Sequence, residues 1–383
     1  MTAPMTRKQL LRRAAAGAGA LTLPGLLSGF DPAEVLAAGK PFAGKTLRFS
    51  NWPLYIDVNE KSKQHPSLQQ FTKQTGIKVA YTEDINDNAQ FFGKIEGPLS
   101  RHQGVGRDLV VMTDSSGLPA RMIQLGWLEK LDKKLIPNIK NLQPTQRHPS
   151  WDPQRNYSLP WQSGMTGIGF DPKKTGGPVN TVSELLDNKK LKGKVTFLTE
   201  MSDTIGLVML DNGDDPSKVT NKTFNRAVQR IQKAVNSGQI RQFTGNDYAP
   251  LLAKGDVWAC LAWSGDMVQL QADHPGLKWV QPTRGAMVWT DNMLIPKGGN
   301  VQLASTYMNF CYQPKIAAEI EDYVNYICPV VGADKVLRKT DPDVAKNTLI
   351  FPTQKMFKNA HQFDAKASQN AGYKAAFQKL IGA

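Results

Sequence analysis

Trp289 and Asp291 lie two residues apart in Val288-Trp-Thr-Asp-Asn-Met-Leu-Ile-Pro296, and Trp263 and Asp266 lie three apart in Ala262-Trp-Ser-Gly-Asp266. Each pair joins an aromatic face to a carboxylate. Both groups attract an ammonium ion, the ring through its quadrupole and the carboxylate through a charge-assisted hydrogen bond. Trp52 and Tyr55, just after Asn51, add further aromatic surface near the start of the chain. Together these residues supply the parts of a cage for an organic amine, a chemistry of binding that needs no cofactor.

The signatures of catalysis and metal binding are missing from the same sequence. The five histidines, at 65, 102, 148, 274 and 361, are dispersed, and no two have ligand spacing. Ser264 lacks the first glycine of a nucleophile elbow. Gly39 to Thr46 matches the phosphate-loop pattern letter for letter, but it runs into a strand-like segment where that loop must open a helix. Gly104-Val-Gly106 is a fragment of a dinucleotide fingerprint and reads as a loop. An exported hydrolase built from dispersed residues is the rival reading.

A strand is expected from Lys45 to Asn51, a helix closing at Gly76, a strand over Ile77–Tyr81, a helix over Asn88–Glu96, and a buried strand over Asp108–Met112. A helix over Leu118–Leu125 completes a βαβ series. A second series follows, with strands at Val195–Leu198 and Val257–Trp263 and helices at Ser202–Asp211 and Asn221–Ser237. In the last of these Phe224, Val228, Ile231 and Val235 recur at helical spacing. Helices at Leu303–Tyr312, Lys315–Tyr323 and Gly372–Ile381 close the chain. Two α/β regions predict two lobes with a cleft between them. Trp52, Trp263 and Trp289 fall at strand ends, where α/β sheets form their crevices, whereas Trp127, Trp258 and Trp279 read as packing residues.

At 383 residues and 40% hydrophobic content the chain can fill two cores. The formal charge of +14 is scattered, and the basic patch Lys189 to Lys194 reads as a solvated loop, so nucleic-acid binding is not expected. Residues 1–37 read as an export signal: basic residues over Thr6–Arg13, a weakly apolar run from Ala14 to Leu27, and small residues at Val35-Leu-Ala37. Thr6 to Arg12 is similar to the twin-arginine motif, with Lys8 in place of its second arginine. The apolar run is too short to span a bilayer. Leu27-Ser-Gly-Phe30 resembles a lipoprotein box with Phe30 where the lipidated cysteine belongs, which predicts a soluble protein outside the cytoplasm. Cys260 is expected to be buried, and Cys311 and Cys328 are candidates for a disulfide.

Taken in order, Phe49-Ser-Asn-Trp52 with Tyr55, Phe71-Thr-Lys-Gln-Thr-Gly-Ile-Lys-Val79, Asp108-Leu-Val-Val111, Tyr157-Ser-Leu-Pro160, Gly255-Asp-Val257 through Trp263, Trp289-Thr-Asp291 and Tyr326 resemble the polyamine-binding proteins of bacterial ABC importers. The resemblance spans about residues 45–380. It implies an α/β, two-lobed periplasmic-binding-protein fold of the class II type with two chain crossovers and hinge closure on ligand. The lobes would comprise 45–161 plus 292–328, and 162–291 plus 329–383. It implies a monomer that hands its ligand to an ABC permease. By motif matching, Trp52, Tyr55 and Thr113 would line the first lobe, Trp263 would stack on the ligand's methylene chain, and Asp266 would anchor an amine. Trp289 and Asp291 would hold an inner amine, and Tyr326 and Gln362 would add polar contacts. The sequence departs from the pattern at Leu54 and Thr204, where acids are expected, and at Met201 before it. Asp203 is a possible substitute, and Glu83, Asp84 or Asp87 could restore acidity from a neighbouring loop. Loss of one terminal carboxylate would cost about 1.5–3 kcal/mol of amine binding. Another solute on the same fold, such as an opine, a sugar or ferric ion, is the alternative.

Overall fold

The computed structural model describes residues 40–59, 61–85 and 87–382. The expected export signal, with Lys8 and Phe30, lies outside the described residues. Ten strands form one continuous sheet: β1 Thr46–Asn51, β2 Lys78–Glu83, β3 Leu109–Thr113, β4 Ser158–Phe170, β5 Val195–Leu198, β6 Ile240–Thr244, β7 Ala259–Trp263, β8 Lys278–Val280, β9 Ala286–Leu294 and β10 Ala360–His361. Their order is β2-β1-β3-β9-β4-β7-β5-β6, with β10 beside β9 and β8 beside β4. The outer triplets, β2-β1-β3 and β7-β5-β6, are parallel. The two long central strands, β4 and β9, run antiparallel to each other and to the triplets they join.

This pairing makes two lobes. In the first, Leu109 and Val111 of β3 face a core with Phe49, Phe71, Tyr307 and Phe310, while Val110 and Met112 face Phe91, Phe92, Met122 and Trp127 on the other side. Alternation along one strand thus fills both faces, as a covered parallel sheet requires. The second lobe packs Val195, Phe197, Leu261 and Ile205 with the helix Asn221–Asn236. That helix buries Phe224, Ala227, Ile231 and Ala234. Val228 and Val235 are only partly buried, because small alanines occupy the centre of the stripe.

The helix expected to close at Gly76 does so, with Gly76 at φ 74° donating to the Thr72 carbonyl. The segment after Gly44 enters β1, so it has no phosphate-binding helix. All three cysteines are buried and free, so Cys311 and Cys328 do not form the expected disulfide. The C-terminal boundary also differs from expectation. Val330, Ala333, Leu337, Val344 and Ile350 pack into the first core, and only from Phe363 does the chain rejoin the second. On this packing we assign residues 329–350 to the first lobe; Phe351 still packs against its core, and the chain passes to the second over 352–362.

β4 is buried along its whole length. Its glycines are imposed by neighbours. A Cβ on Gly164 would overlap the Trp289 indole, and one on Gly167 would meet the Trp279 ring and the Val280 carbonyl. Gly164→Ala is therefore expected to displace Trp289 and destabilise the fold by about 1–3 kcal/mol. A urea midpoint equal to that of the parent would contradict this packing.

Candidate functional site

The cleft between the lobes encloses about 260 Å3 and is lined from three directions. Trp52 to Tyr55 follow the end of β1, and Thr113 ends β3. Glu200 and Asp203 lie at the start of the helix Met201–Asp211, and Asp266 lies in the first turn of the helix Ser264–Asp273. Trp289 and Asp291 project from β9, and Tyr326 from the turn after the helix Pro314–Val324. Helix N-termini carry partial positive charge that favours these carboxylates locally.

Asp291 is buried, only 4% exposed, and held by two hydroxyls. The Thr113 hydroxyl donates to Oδ1 at 2.6 Å and the Tyr55 hydroxyl donates to Oδ2 at 2.6 Å. Asn88 in turn fixes Thr113, its Nδ2 donating to Oγ1 at 2.8 Å and its Oδ1 accepting from the Thr113 amide at 3.0 Å. Asn51 shapes the turn that presents Tyr55, accepting from Trp52 N at 2.9 Å and donating to the Tyr55 carbonyl at 3.3 Å. Asp266 accepts from Tyr326 at 2.7 Å, Tyr248 at 2.8 Å and Asn246 at 3.1 Å. Asp203 accepts from the Trp263 indole at 2.9 Å, and the Trp289 indole donates to Thr166 at 3.0 Å.

The rings form a connected wall. Tyr55 meets Tyr326 edge-on at 5.3 Å, Tyr326 meets Trp289 at 5.6 Å, and Trp289 meets Trp263 edge-on at 6.5 Å. Locked indoles and phenols leave their faces to the cleft while their polar atoms are satisfied by protein.

Every donor to these carboxylates is neutral. Burial, opposed only by such bonds, pushes Asp291 up to about 7, with Asp114 and Asp203 adding repulsion. Burial also lifts Glu200 to about 8, reinforced by Asp87 and Asp203 and resisted by Asn88. Asp203 is raised by burial to about 6 against its bonds from Trp263 and Thr166, and Asp266 is raised by burial against its three donors. No Lys, Arg or His lines the cleft among the described residues. Four acids held without a cation form a site whose electrostatic complement is a positively charged guest.

Eight of the nine residues singled out from the sequence line this cleft: Trp52, Tyr55, Thr113, Trp263, Asp266, Trp289, Asp291 and Tyr326. Gln362 does not. It lies exposed just after β10, away from the lining. Thr204 is turned inward, its hydroxyl donating to the Leu198 carbonyl at 2.8 Å, and Met201 packs against the second core. The acidity expected to be missing there is supplied by Asp203, the possible substitute beside Thr204, and by Glu200 one turn before it. Glu200 was legible in principle, since it stands two residues past the end of a recognisable strand, where crevices form. Asp84 pairs with Arg107 at 2.7 Å, Glu83 is exposed at the end of β2, and Asp87 caps the helix Asn88–Ser100 by accepting from Gln90 N at 2.8 Å. None of these three lines the cleft, so the expected compensation from that loop is not found. Leu54 does line it, exposed and with φ 57°.

Residues 67–352 match the family model described as bacterial extracellular solute-binding protein. The chain belongs to this family. It is 26% identical over 337 residues to the spermidine/putrescine-binding periplasmic protein of Escherichia coli, covering 88% of this chain and 91% of that one. It is 28% identical over 363 residues to the putrescine-binding periplasmic protein SpuD of Pseudomonas aeruginosa, covering 90% and 91%. A solved structure described as a putative spermidine/putrescine ABC transporter from Listeria monocytogenes superimposes with a TM-score of 0.76 at 25% identity, over 88% of this chain and 99% of that one. Like its relatives, this solute-binding protein is two-lobed with a mixed α/β architecture. Among the described residues no helix is long and apolar enough to cross a membrane.

The raised acids make the empty cleft a strained element. The folded state holds Asp291 protonated up to about pH 7, whereas the unfolded chain releases that proton near 3.8. Between those values the native state binds more protons, so unliganded stability falls as pH rises. Asp291→Asn removes this slope. Its stability relative to the parent is expected to rise by about 2–4 kcal/mol from about pH 4 to about pH 8. Thermal melts with parallel pH profiles for the two proteins would refute the assignment.

Proposed function

We propose that this solute-binding protein captures a polyamine of the putrescine or spermidine kind outside the cytoplasm and delivers it to an ABC permease. The observation that carries this reading is the set of four acids on one aromatic-lined cleft with no protein cation among them. Glu200, Asp203, Asp266 and Asp291 pair with ammonium groups. Trp52, Tyr55, Trp263, Trp289 and Tyr326 box the methylene chain, through cation–π attraction and burial of apolar surface. Glu200, raised by burial and by neighbouring acids, takes a terminal ammonium. The protein acts as an exported, soluble monomer that releases its ligand unchanged. The names of the relatives support the same ligand class.

Solved structures with this fold also include one in complex with agropinic acid, at 19% identity. An anionic solute of that kind would face four carboxyl groups here and no basic residue of the cleft, so the electrostatics disfavour it.

Isothermal titration against putrescine, spermidine and spermine tests the proposal. Saturable one-to-one binding is expected, weakened by Asp291→Asn by roughly 10- to 100-fold, the equivalent of a charged hydrogen bond of about 1.5–3 kcal/mol. No heat with any of the three would overturn the ligand class. A second outcome follows from the raised acids. Cation binding draws Glu200 and Asp291 into their charged forms, so binding near neutral pH releases protons and affinity falls as pH drops below about 8. Binding heats that are the same in buffers of high and low ionisation enthalpy would contradict this.

A further inference from the structure

One fully buried acid lies outside the cleft wall. Glu321 lies in the last turn of the helix Pro314–Val324 and has no exposed surface. Neither of its carboxyl oxygens has a well-aligned hydrogen-bond partner; the Gln162 side chain, the Cys328 thiol and the Tyr326 amide are the donors within reach. The groups that face it are Gln162 from β4, the Cys328 thiol and the Tyr326 backbone from the following segment, Tyr55 from the cleft turn, and Asp322 on its own helix. None is a cation. The Cys328 thiol reaches the Val330 carbonyl at 3.8 Å. Gln162 is 3% exposed, and its own Oε1 also lacks a partner.

A carboxylate so placed, with only neutral and poorly aligned donors and without a counter-ion, is among the most costly groups a protein can bury. A neutral carboxylic acid is not, because its O–H is a donor. Gln162 Oε1 is a buried acceptor without a donor, and an amide's two ends exchange places by rotation. One proton on Glu321, with the Gln162 amide turned to receive it, satisfies two orphaned groups together.

The place of this pair in the fold gives it a consequence. Gln162 is in register with Asp291 across the β4–β9 pair, and the register shifts between Pro160 and Gln162. The carbonyl of Glu321 accepts from Asn325, both from its amide at 2.9 Å and from its side chain at 3.0 Å. Asn325 turns the chain at φ 61°, Tyr326 then enters the cleft to hold Asp266, and Ile327 exchanges two backbone hydrogen bonds with Ser163, at 2.7 and 3.0 Å. Glu321 and Gln162 therefore join the turn that carries Tyr326 to the strand that faces Asp291.

We infer that Glu321 is kept as a neutral acid, donates to Gln162, and acts as a positioning residue that sets Tyr326 and Asp266 against Asp291. Burial with no compensating charge raises its proton affinity in the same direction. The positioning role rests on the amine-binding reading. The protonation state does not.

The test uses the full mature protein with Glu321→Gln and Glu321→Leu. Glutamine keeps a donor for Gln162 and cannot ionise, whereas leucine leaves Gln162 without one. At mildly alkaline pH the infrared spectrum of the parent should contain a protonated-carboxyl stretch that is lost in Glu321→Gln. The folding constant of the parent relative to Glu321→Gln should fall by up to tenfold per pH unit above the ordinary glutamate range. In titrations with putrescine, Glu321→Gln should bind within about threefold of the parent and Glu321→Leu at least about tenfold more weakly, a difference of about 1.4 kcal/mol. An infrared band unchanged in Glu321→Gln, or a flat stability ratio, would overturn the neutral acid. Equal affinities for the two variants would overturn the positioning role. If no polyamine binds the parent, the ligand reading fails, and the infrared and stability results still decide the state of Glu321.

Discussion

The cleft holds acids that the protein itself does not neutralise. Asp291, Asp203 and Asp266 receive hydrogen bonds only from hydroxyl, indole and amide groups. Such bonds orient a carboxylate but do not replace the hydration that burial removes, so the raised proton affinities persist. The contrast with Asp108 is instructive. That acid is also buried, but Arg48 meets it with two side-chain bonds of 2.7 and 2.9 Å, and its proton affinity falls below the ordinary range despite the desolvation. The fold can pair an acid when pairing serves structure. In the cleft it withholds the partner, and on the proposed reading the unsatisfied field becomes binding energy for a cation that arrives from outside.

Such a field works only if the acids are held in place while empty, and the central strands supply that constraint. Asp291 sits on β9 between β3 and β4, so Thr113 reaches it from one neighbour while Gln162 faces it in register on the other. Trp289, two residues earlier on the same strand, points the same way and lies over Gly164. A strand whose side chains alternate thus delivers a ring and a carboxylate to one face. The second lobe adds its acids through helix starts that follow β5 and β7. Groups of the two lobes already meet across the cleft, where Tyr326 holds Asp266 and Trp289 meets Trp263.

Much of this was readable in the residues. The parallel triplets announce themselves through short apolar runs such as Leu109 to Met112, and the Trp–Asp pairs through their spacing. β4 is the opposite case. Pro160, Gly164, Gly167 and Gly169 give it the punctuation of turns, yet it is the longest strand. The reason is tertiary: indoles from β9 and β8 and Met267 occupy the space where side chains would stand. No local propensity encodes a neighbour's ring. The same limit hid the fate of Gln362 and the lobe that claims residues 329–350, because both depend on where the last crossing falls. Glu200 was hidden differently. Its type and place, just beyond a strand, carried the signal, but the family pattern puts its acid at Thr204, four residues further on.

The basic exterior remains to be reconciled with a cationic guest. With a formal charge of +14, the chain as a whole repels an amine at long range. Salt confines that repulsion to roughly 10 Å at 0.1 M, whereas the cleft acts at contact distance and in a medium where charges interact more strongly. The acids dominate once the ligand is within the walls. Their raised proton affinities also mean that the empty cleft carries less negative charge than its four acids suggest. The full charge develops as the ligand enters and drives the protons out. On the proposed reading, binding is thus an exchange of one kind of cation for another.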